Sequence, residues 1–330
     1  MSRTLHLTLA CSDYDRTRAL RDGRVRVEGC ELTYLPLTVE ETFFRMLRHR
    51  EFDVAEMSLS SYVVSHVSDD PWLVAIPVFP SRSFRHAQIA VRTDRVRAPE
   101  DLAGLVVGTP EFQLTACVWI RGILADRHGV PVESVRYRTA GLETPDRPEK
   151  LKLSLPPEID VAPLDRGLSL SDALAEGVID AIQAPREPSC LLRGAPDVGR
   201  LFPDFRAEEE RYARDTGIFP IMHVVVLRRE LHERHPWLAG SLQKAFTQAR
   251  DLAYDALREV AALATSLPWQ LAEVLRTQEL LGEDWWAYGL EPNRHVLDTF
   301  LRYHHEQGLS PRRVAPEELF APSTLEAFAI

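Results

Sequence analysis

The chain has few of the features that mark secreted, metal-binding or nucleic-acid-binding proteins. Only four of its 330 residues are cysteine, and they form no CxxC pair, so neither a disulfide framework nor a zinc site is predicted. No apolar run approaches the roughly 18 residues of a membrane span, and the first residues alternate like a strand rather than forming a signal peptide. The net charge of −10 argues against a basic, nucleic-acid-binding face. We therefore expect a cytoplasmic protein with neither a membrane nor a nucleic-acid partner.

What the sequence does contain is an alternation of short apolar runs and helix-like patterns. Apolar runs predict strands at residues 5–10, 32–35, 53–57, 73–79, 88–91, 105–108, 179–184 and 223–227. Apolar residues at three- and four-residue spacing predict helices at 40–50, 111–128 and 168–176, and a longer one between Pro236 and Pro268. This alternation predicts an α/β fold with mostly parallel sheets.

Two distant segments resemble each other. Residues 50–55 (REFDVA) and 177–182 (GVIDAI) each lead through an aspartate into a buried strand that a polar loop follows, so we expect two similar α/β lobes. In open α/β sheets, ligands gather at the carboxyl ends of the strands. Four polar segments follow a predicted strand, at 58–62, 80–86, 109–115 and 185–189. Their convergence predicts one ligand site between the two lobes.

The segment 80–86 (PSRSFRH) has the richest chemistry. It contains two arginines, two serines and a histidine: Arg82, Arg85, Ser81, Ser83 and His86. Arginine matches a carboxylate through a planar fork, and histidine transfers protons near neutral pH. The segment therefore predicts a site for an anionic small molecule beside a proton donor. The alternative is that both arginines are solvated loop residues.

The segment that begins at Thr109 reads as a helix start. Thr109 would be the N-cap and the following proline the first helical residue, and the backbone N–H groups would attract an anion. Gln113 and Thr115 would add side-chain donors. Arg121, further along the same helix, is either a ligand contact or one half of a surface ion pair. Glu56, inside an apolar strand, is expected to have a buried structural partner rather than to act as an acid.

Several long segments resemble signature segments of the 4,5-dihydroxyphthalate decarboxylase family. They are residues 52–62 (FDVAEMSLSSY), 79–86 (FPSRSFRH), 116–124 (ACVWIRGIL) and 216–226 (TGIFPIMHVVV), with a similar tail at 293–294, 300–303 and 306–309. The resemblance covers essentially the whole chain. It implies the type 2 periplasmic-binding-protein fold, in which two α/β lobes enclose a cleft. Lobe one would comprise residues 1–86 and 222–330, including the C-terminal helices, and lobe two residues 87–221.

The same resemblance implies a cofactor-independent, non-oxidative decarboxylation of 4,5-dihydroxyphthalate to protocatechuate and CO2, a step of phthalate degradation, with no metal ion. His86 and His223, at the implied crossovers, are the predicted acid and base. Arg82 and Arg85 are predicted to hold the carboxylate that stays on the ring, because a tight clamp on the departing one would stabilise the ground state. The other predicted substrate contacts are Ser81, Ser83, Ser60, Ser61, Tyr62, Gln113, Thr115 and Arg121.

Two alternatives stay open. A solute-binding protein for an aromatic or dicarboxylic acid would use the same cleft without chemistry. Another lyase or synthase would use the same scaffold on a different carboxylated ring or on an enol ether. Assembly into a homo-oligomer is also left open.

Overall fold

A computed structural model describes residues 4–147, 150–164 and 167–325, and within them the chain forms two compact units. The first unit comprises residues 4–82, Ile221–Asp298 and 315–325, and the second comprises Ser83–Pro220 and Thr299–Val314. Each unit contains its own β-sheet. Within the described ranges, no helix is both long and apolar enough to cross a membrane.

The described ranges contain short strands alternating with helices, as the sequence pattern predicts. The strands are β1 (Leu5–Ala10), β2 (Cys30–Leu35), β3 (Val54–Ser58), β4 (Leu73–Arg82), β5 (Ile89–Arg92), β6 (Val106–Thr109), β7 (Arg136–Thr139), β8 (Val161–Pro163), β9 (Ala181–Gln183), β10 (Val198–Arg200) and β11 (Ile221–Arg228). The helices are α1 (Asp15–Arg21), α2 (Val39–His49), α3 (Leu59–His66), α4 (Thr115–His128), α5 (Leu170–Ala175), α6 (Ser189–Leu192), α7 (Phe205–Thr216), α8 (Arg229–Arg234), α9 (Trp237–Arg258), α10 (Gln270–Leu281) and α11 (Arg294–Glu306). All eight predicted strands are present; the first has the predicted ends, and the other seven have shifted ends.

The sheet of the first unit has the strand order β2-β1-β3-β11-β4. Strands β1, β2 and β3 are parallel, whereas β11 runs antiparallel to both β3 and β4. Strand β3 is buried along its whole length, and β4 is buried at all but one position, which explains their continuous apolar runs. Helix α9 packs against α1 and β4. This sheet therefore places β3, β11 and β4 side by side.

The sheet of the second unit has the order β10-β5-β9-β6-β7-β8, with β5 antiparallel to both of its neighbours. Its core includes Leu170 and Ile179, which pack closely over β6. A Cβ atom at Gly108 would lie 2.8 Å from Leu170 and 2.7 Å from Ile179. Glycine at that position therefore allows α5 and the turn after it to approach the strand.

The predicted helix start at Thr109 is wrong. Thr109 ends β6, and α4 begins only at Thr115, with Leu114 as its N-cap. The intervening residues Glu111, Phe112 and Gln113 are all completely buried. The Thr109 hydroxyl donates a hydrogen bond to the carbonyl of Glu111 at 3.2 Å instead of accepting one from a helical N–H group. The helix terminus that would attract an anion is therefore not formed at Thr109.

Two further expectations for the C-terminal third also differ from the structure. The helix predicted to reach almost to Pro268 ends at Arg258, and the apolar residues beyond it are exposed rather than part of the core. Thr299–Val314, predicted in lobe one, belongs to the second unit. The reason is that Phe300 and Tyr303 of α11 pack against Trp119 of α4.

Candidate active site

In the first unit, the neighbouring strands β3 and β11 bring Glu56 and His223 together. His223 lies opposite Ser58 and Glu56 lies opposite Val225 in the antiparallel ladder. The two side chains are therefore diagonal neighbours on one face of the sheet. The Nδ1 atom of His223 lies 2.6 Å from Oε1 of Glu56. The two residues form a hydrogen-bonded carboxylate–imidazole pair.

Glu56 is fully buried but keeps its negative charge. Its Oε1 also accepts a hydrogen bond from the Tyr14 hydroxyl at 2.7 Å, and its Oε2 accepts one from the Ser12 N–H at 3.1 Å. The thiol of Cys11 lies 3.5 Å from the same Oε2. Burial alone raises the pKa of the Glu56 carboxyl, but the hydrogen bonds from His223, Ser12 and Tyr14 outweigh burial and hold that pKa below its usual value. The partner expected for Glu56 is therefore the candidate acid–base histidine itself.

The carboxylate of Glu56 fixes the hydrogen-bonding role of the His223 ring. Because a carboxylate only accepts hydrogen bonds, Nδ1 of His223 carries the proton between them. Nε2 makes no hydrogen bond to any residue in the described ranges, and the side chain is 16% exposed. Phe43 meets the ring edge-on, with 5.0 Å between the centroids. Nε2 is therefore the atom that can exchange a proton with a ligand, and Glu56 holds the orientation of the ring.

Four serines lie on the elements next to this pair: Ser58, Ser60, Ser61 and Ser81. Ser81, one of the predicted contacts, is a neighbour of His223 in the sheet. Ser58 of β3 and Ser81 of β4 lie opposite His223 in the two ladders. The Ser58 hydroxyl accepts a hydrogen bond from the N–H of Ser61 at 3.4 Å and so caps α3. Ser60 and Ser61 are buried in the first turn of that helix. Ser81, which is half-buried, is thus the predicted serine nearest to the pair along the sheet.

Tyr62 and Arg82 are buried within the first unit and bind the main chain. The Tyr62 hydroxyl donates a hydrogen bond to the carbonyl of Leu319. The Arg82 guanidinium donates to the carbonyl of Ala287 at 2.9 Å and to the side-chain oxygen of Asn293. Burial lowers the pKa of Arg82 to about 10, so the group is still charged at neutral pH. These contacts favour a role for Arg82 in stabilising the fold rather than in holding a ligand.

His86 lies in the second unit, in a largely aromatic environment. Its ring packs against Phe202 and Tyr212, with centroid separations of 5.3 and 5.5 Å. Its Nδ1 is 3.9 Å from Oε1 of Glu209, which is too far for a hydrogen bond. Burial, together with the positive charges of His128 and Arg211, lowers the pKa of His86 to about 4. His86 is therefore neutral near pH 7.

The other predicted contacts also belong to the second unit: Ser83, Arg85, Gln113, Thr115 and Arg121. Gln113 and Thr115 are buried, and Arg85 donates a hydrogen bond to the carbonyl of Pro185 at 3.3 Å. Arg121 is buried as well, so it forms no surface ion pair. Its guanidinium donates to Gln307 at 2.7 Å and stacks 3.9 Å from the ring centroid of Phe112. These contacts account for Arg121 as a core residue.

Sequence reasoning missed the residues that contact Glu56 beside His223, namely Cys11, Ser12 and Tyr14. They lie directly after β1 and form a polar segment behind a predicted strand. The same signal selected the four other polar segments and would have found this one. As to metals, no group of three or more His, Cys, Asp or Glu side chains within residues 4–147, 150–164 and 167–325 is placed to hold an ion.

The fold matches that of periplasmic solute-binding proteins. A periplasmic sulfonate-binding protein of Methylobacillus flagellatus KT superposes with a TM-score of 0.55 at 12% identity, covering 98% of this chain and 93% of that one. The aliphatic sulphonate-binding protein of Escherichia coli gives a TM-score of 0.53 at 13% identity, covering 98% and 99%. At such identities the similarity establishes the fold alone. The predicted periplasmic-binding-protein fold is confirmed.

Sequence comparison identifies the family. The chain is 41% identical over 327 residues to a 4,5-dihydroxyphthalate decarboxylase of Comamonas testosteroni, covering 99% of both proteins. It is also 41% identical over 201 residues to a 4,5-dihydroxyphthalate decarboxylase of Pseudomonas putida, covering 61% of this chain and 78% of that relative. No protein-family model matches the chain. The chain belongs to the 4,5-dihydroxyphthalate decarboxylase family.

Proposed function

We propose that this protein catalyses the non-oxidative decarboxylation of 4,5-dihydroxyphthalate to protocatechuate and CO2. The observation that carries the proposal is the 41% identity to the decarboxylase of Comamonas testosteroni over 99% of both chains. The protein is then a carboxy-lyase whose partner is a small aromatic dicarboxylate.

The reaction needs a proton donor aimed at a ring carbon. Each carboxylate of 4,5-dihydroxyphthalate is para to a hydroxyl, so the ring accepts a proton at the carbon that bears the carboxylate. The bond to that carboxylate then breaks, its electron pair restores the aromatic ring, and CO2 leaves. One proton is consumed for each CO2 released, and the hydroxyl stabilises the intermediate by sharing its own proton.

We assign the proton donor to Nε2 of His223. Glu56, which is buried, orients the ring through the 2.6 Å contact between its Oε1 and Nδ1, and this leaves Nε2 available to a ligand. Tyr14 and Ser12 in turn hold the carboxylate in place through hydrogen bonds to its two oxygens. A positioned histidine of this kind contributes typically about 10²–10⁴-fold to the rate of a proton-transfer step.

The other predicted roles differ in how well the geometry supports them. Ser81, opposite His223 in the β4–β11 ladder, stays the best-placed of the predicted hydroxyl donors. The clamp role predicted for Arg82 is disfavoured by its burial and by its bonds to Ala287 and Asn293. The acid–base role predicted for His86 is disfavoured by its aromatic surroundings. The role of Arg85 stays a prediction.

The experiment is to mix the purified protein with 4,5-dihydroxyphthalate, with and without a chelator, and to follow CO2 and protocatechuate. We expect equal turnover in both reactions, because the mechanism uses only side chains of the protein. Turnover lost with chelator would contradict the cofactor-independent mechanism. Binding without turnover would contradict the decarboxylase and favour a solute-binding protein.

Assembly into a homo-oligomer also stays a prediction, and the surface around the start of α10 supports it. Large apolar side chains are exposed there, including Leu263, Leu267, Leu275 and Trp269, which is 74% exposed. Monomeric proteins rarely leave such side chains clustered in water. The cytoplasmic location stays a prediction, and the place in phthalate degradation is a proposal that rests on the family.

A further inference from the structure

Arg16, at the second position of α1, is held between two aromatic rings of the first unit. Its guanidinium carbon lies 4.1 Å from the ring centroid of Tyr14 and 4.1 Å from that of Trp286. Trp286 is itself fixed, because its indole Nε1 donates a hydrogen bond to the carbonyl of Phe79 at 2.8 Å. Stacking of this kind orients a guanidinium without neutralising its charge.

Only part of the hydrogen-bonding capacity of Arg16 is used. Its Nε donates to the carbonyl of Pro80 at 2.6 Å, and its Nη1 donates to Asp15 at 3.0 Å. Nη2 donates to no residue within the described ranges, although the side chain is only 15% exposed. Asp15 is 46% exposed, so water screens the attraction between it and Arg16. Arg16 therefore has N–H groups that the described residues do not use. Its positive charge is only weakly offset by Asp15.

The contacts of Arg16 place it next to the Glu56–His223 pair. The Tyr14 ring on which it stacks donates its hydroxyl proton to Glu56, 2.7 Å away. Pro80, whose carbonyl receives the Arg16 Nε–H, directly precedes Ser81, and Ser81 lies opposite His223 in the sheet. The Tyr14 ring thus connects Arg16 to the carboxylate that binds His223. The Nε–H group of Arg16 connects it to β4, the strand beside His223.

We propose that Arg16 binds the carboxylate that stays on the aromatic ring during the reaction. The inference rests on the proposed function for the identity of the ligand. A charged donor held rigidly by two rings and a carbonyl is already oriented for an anion, so little freedom is lost when the anion binds. Binding the retained carboxylate orients the ring toward Nε2 of His223 and leaves the departing carboxylate without a stabilising cation.

The test measures binding of two matched ligands by titration calorimetry at pH 7.5. Protocatechuate carries one carboxylate and two hydroxyls, whereas catechol has the same hydroxyls and no carboxylate. Arg16→Met should weaken protocatechuate binding by about 10- to 100-fold and leave catechol binding unchanged, since a charge-assisted hydrogen bond is lost. Arg16→Lys, which keeps the charge but not the planar stack, should give a smaller loss.

The matched control is Arg18→Gln, which removes the same charge from the same helix. Arg18 is 48% exposed and lies 3.6 Å from Asp13, so its replacement should not change protocatechuate binding. Thermal unfolding of each variant shows whether it is folded, and Arg16→Lys carries the test if Arg16→Met is not.

Three results would overturn the inference. One is a wild-type protein that binds protocatechuate no more tightly than catechol. Another is an Arg16→Met variant, or Arg16→Lys in its place, with unchanged affinity for protocatechuate. The third is an equal loss of affinity for both ligands, which would mean that Arg16 only maintains the structure. Neither ligand has to react, so a selective loss of protocatechuate binding would support the inference even if the protein released no CO2 from 4,5-dihydroxyphthalate.

Discussion

His223 in the first unit and His86 in the second each lie near a glutamate, but the two glutamates are used differently. Glu56 directs Oε1 at the His223 ring, with 2.6 Å to Nδ1. Glu209 instead accepts hydrogen bonds from the backbone N–H groups of His86 and Ala87, at 3.1 and 3.4 Å, and leaves the ring 3.9 Å away. The two histidines, which the sequence analysis predicts as acid and base alike, therefore have different electrostatic environments.

The difference shows what makes a buried histidine a proton donor. Burial without a partner disfavours the charged ring, and this lowers the pKa of His86 to about 4. The His223 ring instead has a buried carboxylate within hydrogen-bonding distance of Nδ1. An acidic residue near a histidine is thus not enough to make it a proton donor. The carboxylate must hydrogen-bond to the imidazole ring and not to the backbone.

Removing the His223 ring should have the largest effect on turnover. His223→Gln keeps a polar side chain beside Glu56 but cannot protonate carbon, so kcat for 4,5-dihydroxyphthalate should fall about 10²–10⁴-fold. Binding of protocatechuate, measured by calorimetry, should stay within a few fold of wild type. A folded variant that retains more than about a tenth of the wild-type kcat would remove His223 from the mechanism.

The buried, uncharged state of His86 should make the protein less stable in acid. Its pKa is about 4 in the folded protein, below the ordinary value of 6.5, so between these values the unfolded chain binds a proton that the folded one does not. Stability is therefore lost as the pH falls from 6.5 toward 4, by at most about 3 kcal/mol. His86→Phe should lose about 2–3 kcal/mol less than wild type between pH 7.5 and 4.5, measured by urea unfolding.

Equal losses of stability in the wild-type protein and in His86→Phe between pH 7.5 and 4.5 would contradict this prediction. A parallel loss would mean that His86 is protonated in the folded state, as a proton donor should be. His86→Phe should also keep kcat within about fivefold of wild type, because the ring is given no part in proton transfer.

The contrast between Arg82 and Arg16 predicts a smaller effect, on stability rather than on binding. Asn293→Ala removes an acceptor from the buried Arg82 guanidinium and should lower the free energy of unfolding by about 2 kcal/mol, with protocatechuate affinity unchanged. Glu291→Gln, two residues earlier and on the surface, is the matched control and should leave the free energy of unfolding close to that of wild type. Normal stability combined with a large loss of affinity would restore Arg82 as the substrate clamp.

Weakening the partner of His223 should have the smallest effect. Glu56→Gln keeps the shape of the side chain but removes the buried charge that orients the His223 ring, so kcat should fall about tenfold. Tyr14→Phe, which leaves the charge of Glu56 in place, should lower kcat less. A folded Glu56→Gln variant with the kcat of wild type would show that Glu56 does not act through His223.

The sequence predicted the class of fold and half of the candidate pair. Continuous apolar runs in the sequence indicate buried strands, and all eight predicted strands are present. The position of His223 at an implied crossover predicts its role. Its contact with Glu56 is not predictable, because Glu56 is 167 positions away and nothing local signals the contact.

The arginines show the same limit more clearly. Arg82 and Arg85 are predicted as ligand contacts because they are close together in sequence, but Arg82 is bound by Asn293, 211 positions away. The sequence does not indicate Arg16, because the ring of Trp286 that holds it comes from the far end of the chain. Residue type and local spacing indicate which chemistry is available, whereas long-range partners decide which residue is left to perform it.

The most direct test of the central claim is chemical rescue by imidazole in two alanine variants. We expect His223→Ala to lose most of its turnover of 4,5-dihydroxyphthalate and to regain at least about tenfold of it when imidazole is added. His86→Ala, if folded, should lose little turnover and should not respond to imidazole. Rescue of His86→Ala, or a His223→Ala variant as active as wild type, would contradict the assignment of His223 as the proton donor.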